Sequence, residues 1–233
     1  DAADVAQLGM QAALDAVRVG VKESHIAAEC AKAMFEEDIE GLSLSPHIIT
    51  GPHSAVKFRH PTDRQVRFGD IVRIDCGCIY NGYVGEFNRT TVAGRPSPEQ
   101  RRLATAVYEC HTQSIDTIRP GIMGSEVSQI AIDILKREGY EKYIVQRGGH
   151  GVGLAIHENP RIADKKPGRP DWELKPGMVI CWEPGVVMFD KPDLGSVVFE
   201  DMILVTNKGH EMLTRTEYSE ALLGFQACPM GKY

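Results

Sequence analysis

The chain has 233 residues and a mass of 25.7 kDa, enough to bury a full core and near the upper end of what one domain holds. Its 42% hydrophobic and 25% charged residues are those of an ordinary globular protein, and no apolar run approaches the roughly 20 residues a membrane span needs. A net charge of -6 with a pI near 5.8, and no long Lys/Arg block, excludes a nucleic-acid-binding face as the main feature of the surface. One domain, acting on neither membranes nor nucleic acids, is expected.

Cys30, Cys76, Cys78, Cys110, Cys181 and Cys228 contain no CxxC pair and no disulfide-rich spacing, so they read as reduced thiols of a cytoplasmic protein. The chain opens at Asp1 on a helical pattern without an initiator Met or signal peptide, which reads as part of something longer.

The first element is an amphipathic segment ending at Val17-Arg18-Val19-Gly20, followed by Ser24, placed to N-cap a second helix. Much further on, Ile118-Arg119-Pro120-Gly121-Ile122-Met123-Gly124-Ser125-Glu126-Val127 repeats Val17 to Ile26 at a constant offset, with Arg, Gly and Ser identical and three aliphatic positions matched. Each half therefore starts as a helix pair. In the second half the first helix opens on Ser97-Pro98-Glu99-Gln100, a capping box with Pro at the first helical position.

After each helix pair comes a strand ending in an acid: Gly69 to Asp75 in one half, Gly177 to Glu183 in the other. A second acid follows on another β-rich stretch, Glu86 and Glu200 respectively. A carboxylate buried in an apolar strand must find a partner or a cation, and four at matching places favour metal. Asn81-Gly82 suits a tight hairpin turn between Ile71–Tyr80 and Tyr83–Val92. If Tyr80 faces Tyr83, Asp75 faces Asn88, and Glu86 shares that sheet face because side chains alternate.

The fifth candidate is His150 in Gly148-Gly149-His150-Gly151-Val152-Gly153, followed by His157-Glu158-Asn159-Pro160. Glycines allow close backbone approach, and neutral imidazole is a common transition-metal ligand. A bend or bulge is needed for His150 and His157 to meet one site. His25, His111 and His210 read as solvated, Trp172 and Trp182 as packing residues, and Asp63, Arg64 and Asp70 as loop-fixing residues.

These residues resemble a known superfamily: creatinase, prolidase, aminopeptidase P and methionine aminopeptidase. The motifs are Ile74-Asp75-Cys76-Gly77, Gly82-Tyr83-x-x-Glu86-x-x-Arg89-Thr90, Gly149 to Gly153 with His157-Glu158-x-Pro160, Lys175-Pro176-Gly177-Met178 with Glu183-Pro184, and Glu200-Asp201 with Val205-Thr206. They follow the superfamily's order along essentially the whole chain. Thr50-Gly51-Pro52 through Thr62-Asp63-Arg64 and Gly69-Asp70 resemble the prolidase, aminopeptidase P and creatinase branch, in which a separate N-terminal domain usually precedes this one.

The resemblance implies the α+β "pita-bread" fold, with duplicated helix-helix-strand-strand halves. It also implies two divalent metal ions held by Asp75, Glu86, His150, Glu183 and Glu200, with Mn²⁺ expected and Co²⁺, Zn²⁺ or Fe²⁺ as alternatives. It implies Glu183 and His157 as catalytic groups, Phe58, His60, Tyr83 and Val198 around the substrate, a peptide or small amide substrate, and a homodimer. Three departures stand out: Glu86 where the metalloenzymes carry Asp, Phe58 where a substrate-contacting His is usual, and Val198 where many proline-specific members carry Arg. The expected activity is Xaa-Pro peptide hydrolysis through a metal-bridged water; the alternatives are a creatinase-like hydrolase of a small C–N substrate and a non-catalytic interaction module.

Overall fold

A computed structural model describes residues 1–146, 148–217 and 220–224. The first half is α1 (Ala2–Ala16), α2 (Glu23–Phe35), β1 (Gly41–Thr50), β2 (Ile71–Tyr80) and β3 (Tyr83–Val92). The second begins with α3 (Pro98–Ile115) and α4 (Gly124–Arg137) and continues with β4 (Ile144–Gln146), β5 (Gly149–Gly151), β6 (Glu158–Ile162), β7 (Val179–Trp182), β8 (Gly185–Val187), β9 (Ser196–Val198), β10 (Asp201–Val205) and β11 (His210–Met212). The sheets run β1-β2-β3, β11-β10-β7-β5-β6 and β4-β8-β9. None of the described helices is long and apolar enough to cross a membrane.

The duplication read from the sequence is present in the backbone. Gly20 and Gly121 lie in the turn between the two helices of each half, at φ 88° and 87°, a conformation glycine adopts without Cβ strain. Just beyond them Lys22 bridges Gln65 and Met123 bridges Glu173, each antiparallel. Gly69 and Gly177, at φ 83° and 88°, then lead into the two acid-bearing strands.

The hairpin has the expected register. Asn81 and Gly82 both have positive φ, 50° and 78°, as a type I′ turn requires, and Tyr80 pairs Tyr83, Asp75 pairs Asn88 and Gly77 pairs Glu86. The Ser97 capping box forms with Gln100. The serine N-caps do not: Lys22 and Met123 occupy the N-cap positions, and Ser24 and Ser125 lie inside their helices. Ser125 instead donates from N and Oγ to Asp171, at 3.1 and 2.6 Å. The helices start earlier because the bridges at Lys22 and Met123 already hold the chain there, so no serine cap is needed.

One apolar cluster lies beneath β1-β2-β3, joining Met10, Ile26, Met34, Ile74 and Phe87, with Cys76 and Cys78 sharing its buried face. A larger one, including Leu103, Val127, Ile180, Trp182 and Phe199, lies under the second half. The halves are sewn together along β3. Glu200 N–H donates to Asn88 O at 3.1 Å, Val198 N–H donates to Thr90 Oγ1 at 3.1 Å, and Val84 N–H donates to Gly153 O at 2.8 Å. That seam sets the acids of one half against those of the other.

Candidate metal centre

Asp75 and Glu86 reach one side of the β2–β3 hairpin by strand alternation. Glu86 faces Gly77, where an added Cβ would come within 2.8 Å of Glu86 Cβ, so the missing side chain leaves room for the longer acid. From the second half, Glu183 follows β7, held by its N–H to Gly148 O at 3.2 Å, and Glu200 immediately precedes β10. His150 lies on β5 opposite Cys181, and Gly149 lets β5 approach so closely that a Cβ there would strike the Cys181 carbonyl.

His150 Nε2 lies 3.7 Å from both Glu86 Oε1 and Glu183 Oε1. Glu86, His150, Cys181 and Glu200 are all buried and each offers a ligand atom within 4.8 Å of the others. Burial, then Asp75 and Glu183, push the Glu86 carboxyl up to about 9. Burial, then Glu183, Glu86 and Asp75, push Glu200 well above the carboxylate range. Desolvation depresses His150 to about 4, leaving its imidazole neutral and free to ligate. Four acids gathered beside a neutral imidazole form a set of hard and borderline donors suited to a divalent cation. Asn88 Oδ1, buried on the same face, has no hydrogen-bond partner among the described residues, which fits a group supplied from outside the chain.

His157 joins this centre through a strand irregularity of the kind expected. It precedes β6, which turns back on β5, with a register shift after His150, and the two imidazoles meet at 4.2 Å in an edge-on contact. Burial and then Arg161 lower the His157 pKa, favouring the neutral ring.

Of the other expected substrate residues, Phe58 and His60 gather around His47, while Val198 and Tyr83 lie apart from them. Phe58 is 55% exposed, and its ring lies 5.8 Å from that of His47; the ring of exposed His60 lies 5.6 Å from that of His47. Val198 is fully buried and packs over Gly185. Tyr83, 59% exposed, lines a groove of about 800 Å³ with Val84, Val152 and Met202; none of Asp75, Glu86, His150, Glu183 and Glu200 lines that groove. Trp182 packs in the core and donates from Nε1 to Ser114 Oγ at 2.7 Å.

His111, expected to be solvated, is fully buried. Its Nε2 lies 3.2 Å from Trp182 O and 3.6 Å from Asp201 Oδ2, and desolvation lowers it to about 4. It sits on the inward face of α3, a position its isolated sequence context does not distinguish from the outward one. Arg89 completes this support behind the site, donating to Asp201 Oδ1 at 2.6 Å and to Glu200 O at 2.5 Å. Asp70 and Arg64 form the loop-fixing ion pair, at 2.6 Å.

Three residues near the centre carried no sequence signal. Cys181 is within the ligand group. His47, paired with Asp75 across β1 and β2, brings Nδ1 to 3.9 Å from Asp75 Oδ2. Arg73, 1% exposed, interacts with Asp75 and Glu183 and donates to Ser196 Oγ and Lys57 O.

Two duplicated halves closing on a centre of carboxylates and imidazole define the pita-bread class of folds, and comparison with known proteins agrees. The model of metallopeptidase family M24 matches residues 1–207, and the chain belongs to that family. It is 36% identical over 216 residues to the Xaa-Pro dipeptidase of Pyrococcus furiosus, covering 93% of this chain and 60% of that protein. Similar solved structures include the prolidase of Pyrococcus horikoshii (TM-score 0.88, 34% identity, 93% of this chain and 60% of that one) and an Xaa-Pro dipeptidase from Bacillus anthracis (TM-score 0.86, 31% identity, 93% and 59%). The chain thus spans about 60% of the length of the relatives it matches.

Proposed function

We propose that this chain carries the catalytic centre of a metal-dependent hydrolase that cleaves an Xaa-Pro peptide bond or a similar amide. The observation that carries the reading is the convergence of Asp75, Glu86, Glu183 and Glu200, drawn from both halves, on the neutral imidazole of His150. Xaa-Pro dipeptidases among the similar proteins support the substrate class.

Asp75, Glu86, His150, Glu183 and Glu200 would hold two divalent ions, Mn²⁺ being expected from the resemblance. Such ions supply Lewis acidity and lower the pKa of water at neutral pH. Glu183, with 19% of its side chain exposed beside His150, takes a proton from the attacking water and returns it to the leaving nitrogen. His157, held neutral against the His150 ring, donates an N–H to the oxygen that gains charge as the carbonyl is attacked. Arg73 places a buried positive charge near Asp75 and Glu183.

The test is hydrolysis of Xaa-Pro dipeptides by the purified chain with and without a strong chelator. The expected outcome is turnover that chelation abolishes, that divalent metal restores, and that His150→Ala lacks under either condition. Phe58, an exposed apolar ring beside His47, favours a second reading in which the substrate is a small C–N compound. Turnover of such compounds but not of proline dipeptides would select it, and chelator-resistant turnover would overturn the metal mechanism.

A further inference from the structure

We propose that Cys181 is itself a metal ligand, its thiolate joining Glu86, His150 and Glu200 in a mixed sulfur, nitrogen and oxygen nest that prefers Zn²⁺ or Co²⁺ to Mn²⁺. The inference deepens the metallohydrolase reading and rests on it. Its first support is geometric: the four ligand atoms lie within 4.8 Å of one another, and all four residues are buried. The strands place them there. Cys181 pairs with His150 across β5 and β7 and with Met202 across β7 and β10, so it shares a sheet face with Glu183 two residues further on.

The second support is what surrounds Glu86. Cys181 Sγ lies 3.5 Å from Glu86 Oε1, and a second sulfur, Met202 Sδ, accepts from Glu86 N at 3.4 Å. Glu86 reaches toward this sulfur-lined side because Gly77 opposite it presents no side chain. Independently, Asn88 Oδ1 is buried without a partner on the hairpin face that carries Asp75 and Glu86, leaving an acceptor that no described donor satisfies. One imidazole, one thiolate and two carboxylates make a four-donor set of the kind Zn²⁺ takes, whereas Mn²⁺ favours all-oxygen and imidazole surroundings. The thiol proton passes to solvent as the sulfur–metal bond forms.

The other described cysteines lie elsewhere: Cys30, Cys76 and Cys78 in the core of the first half, Cys110 in that of the second. A sulfur signal from the metal is therefore assignable by substitution. The chelator-stripped chain is titrated with Co²⁺ and followed by absorbance. The expected result is a near-ultraviolet sulfur-to-cobalt charge-transfer band in the unsubstituted chain and its loss in Cys181→Ser, with the weaker visible cobalt bands retained. In zinc-against-manganese competition, the preference for zinc falls about tenfold or more in Cys181→Ser. Cys181→Thr provides a second variant of similar volume, and thermal melts establish that both are folded. Cobalt binding without a charge-transfer band in the unsubstituted chain, or a band that survives both substitutions, overturns the inference: the thiol then only donates a hydrogen bond to Glu86, and the metallohydrolase reading stands. Failure to bind cobalt at all overturns both.

Discussion

Glu86, Glu183 and Glu200 crowd one imidazole; Glu183 raises the cost of ionising Glu86, and both raise that of Glu200. Glu183 is the most accessible of the three, which suits it to exchange protons with substrate. Glu183→Gln keeps the shape but cannot accept a proton; kcat is expected to fall by about 10²–10⁴-fold while the chain remains folded, as measured by steady-state hydrolysis beside a thermal melt. Arg73 acts on Glu183 and on Asp75 beside it. Arg73→Leu removes a buried positive charge and its hydrogen bonds to Ser196 and Lys57, and is expected to destabilise the chain by about 1–3 kcal/mol in denaturant unfolding. The acids were legible in the sequence because a carboxylate in an apolar strand is anomalous. Cys181 was not, because a cysteine in such a strand looks like any small core residue. His47 and Arg73 were hidden for another reason: the role of His47 depends on β1 lying beside β2, that of Arg73 on Lys57 and Ser196 being brought to it, and a single sequence shows neither.

At the scale of elements, Glu23 anchors the first half. Buried at the start of α2, it accepts from Thr50 N and Oγ1 at 3.0 and 2.8 Å, and from Thr62 N and Oγ1 at 3.0 and 2.7 Å. Burial works to raise its pKa, but the bonds from Thr62 and Thr50 outweigh it and hold the carboxyl below its usual range. Because the folded pKa is depressed, the stabilisation is present above the unfolded value and lost as pH falls through the folded one. Glu23→Gln is expected to lower the melting temperature at pH 7 and to narrow the gap from the parent as pH falls below about 4. Gly149 sets the fit of β5 to β7, and Gly149→Ala drives a methyl into the Cys181 backbone; loss of both metal binding and cooperative melting is expected. Hairpin register was readable because Asn-Gly fixes the turn and alternation does the rest. The union of His150 with His157 was only half readable. Glycines signalled irregularity, but the pairing of β5 with β6 is a tertiary choice.

At the scale of the molecule, the fold brings like charges together from distant parts of the chain, and metal relieves their repulsion. Glu86, raised to about 9, binds its proton more tightly folded than unfolded, so the metal-free chain loses stability as pH rises through the window between the unfolded carboxylate value and 9. His150 and His111, each lowered to about 4, act in the opposite sense but only up to about pH 6.5, where an unfolded imidazole stops binding protons. The metal-free chain is therefore expected to melt at a lower temperature at pH 8.5 than at pH 6.5, with Zn²⁺ or Mn²⁺ removing most of that difference; calorimetry at the two pH values checks it. The duplication was the most legible feature at this scale, since a constant offset between Val17–Ile26 and Ile118–Val127 survives in two glycines of almost equal φ. Most direct of all is the anomalous difference map of crystals soaked in Zn²⁺ and collected above its absorption edge. Strong density bounded by Glu86, His150, Glu183 and Glu200, at about 2.0–2.2 Å from their oxygen and nitrogen atoms, is the expected result. A centre without anomalous density at full soak, with those side chains ordered, would contradict the account.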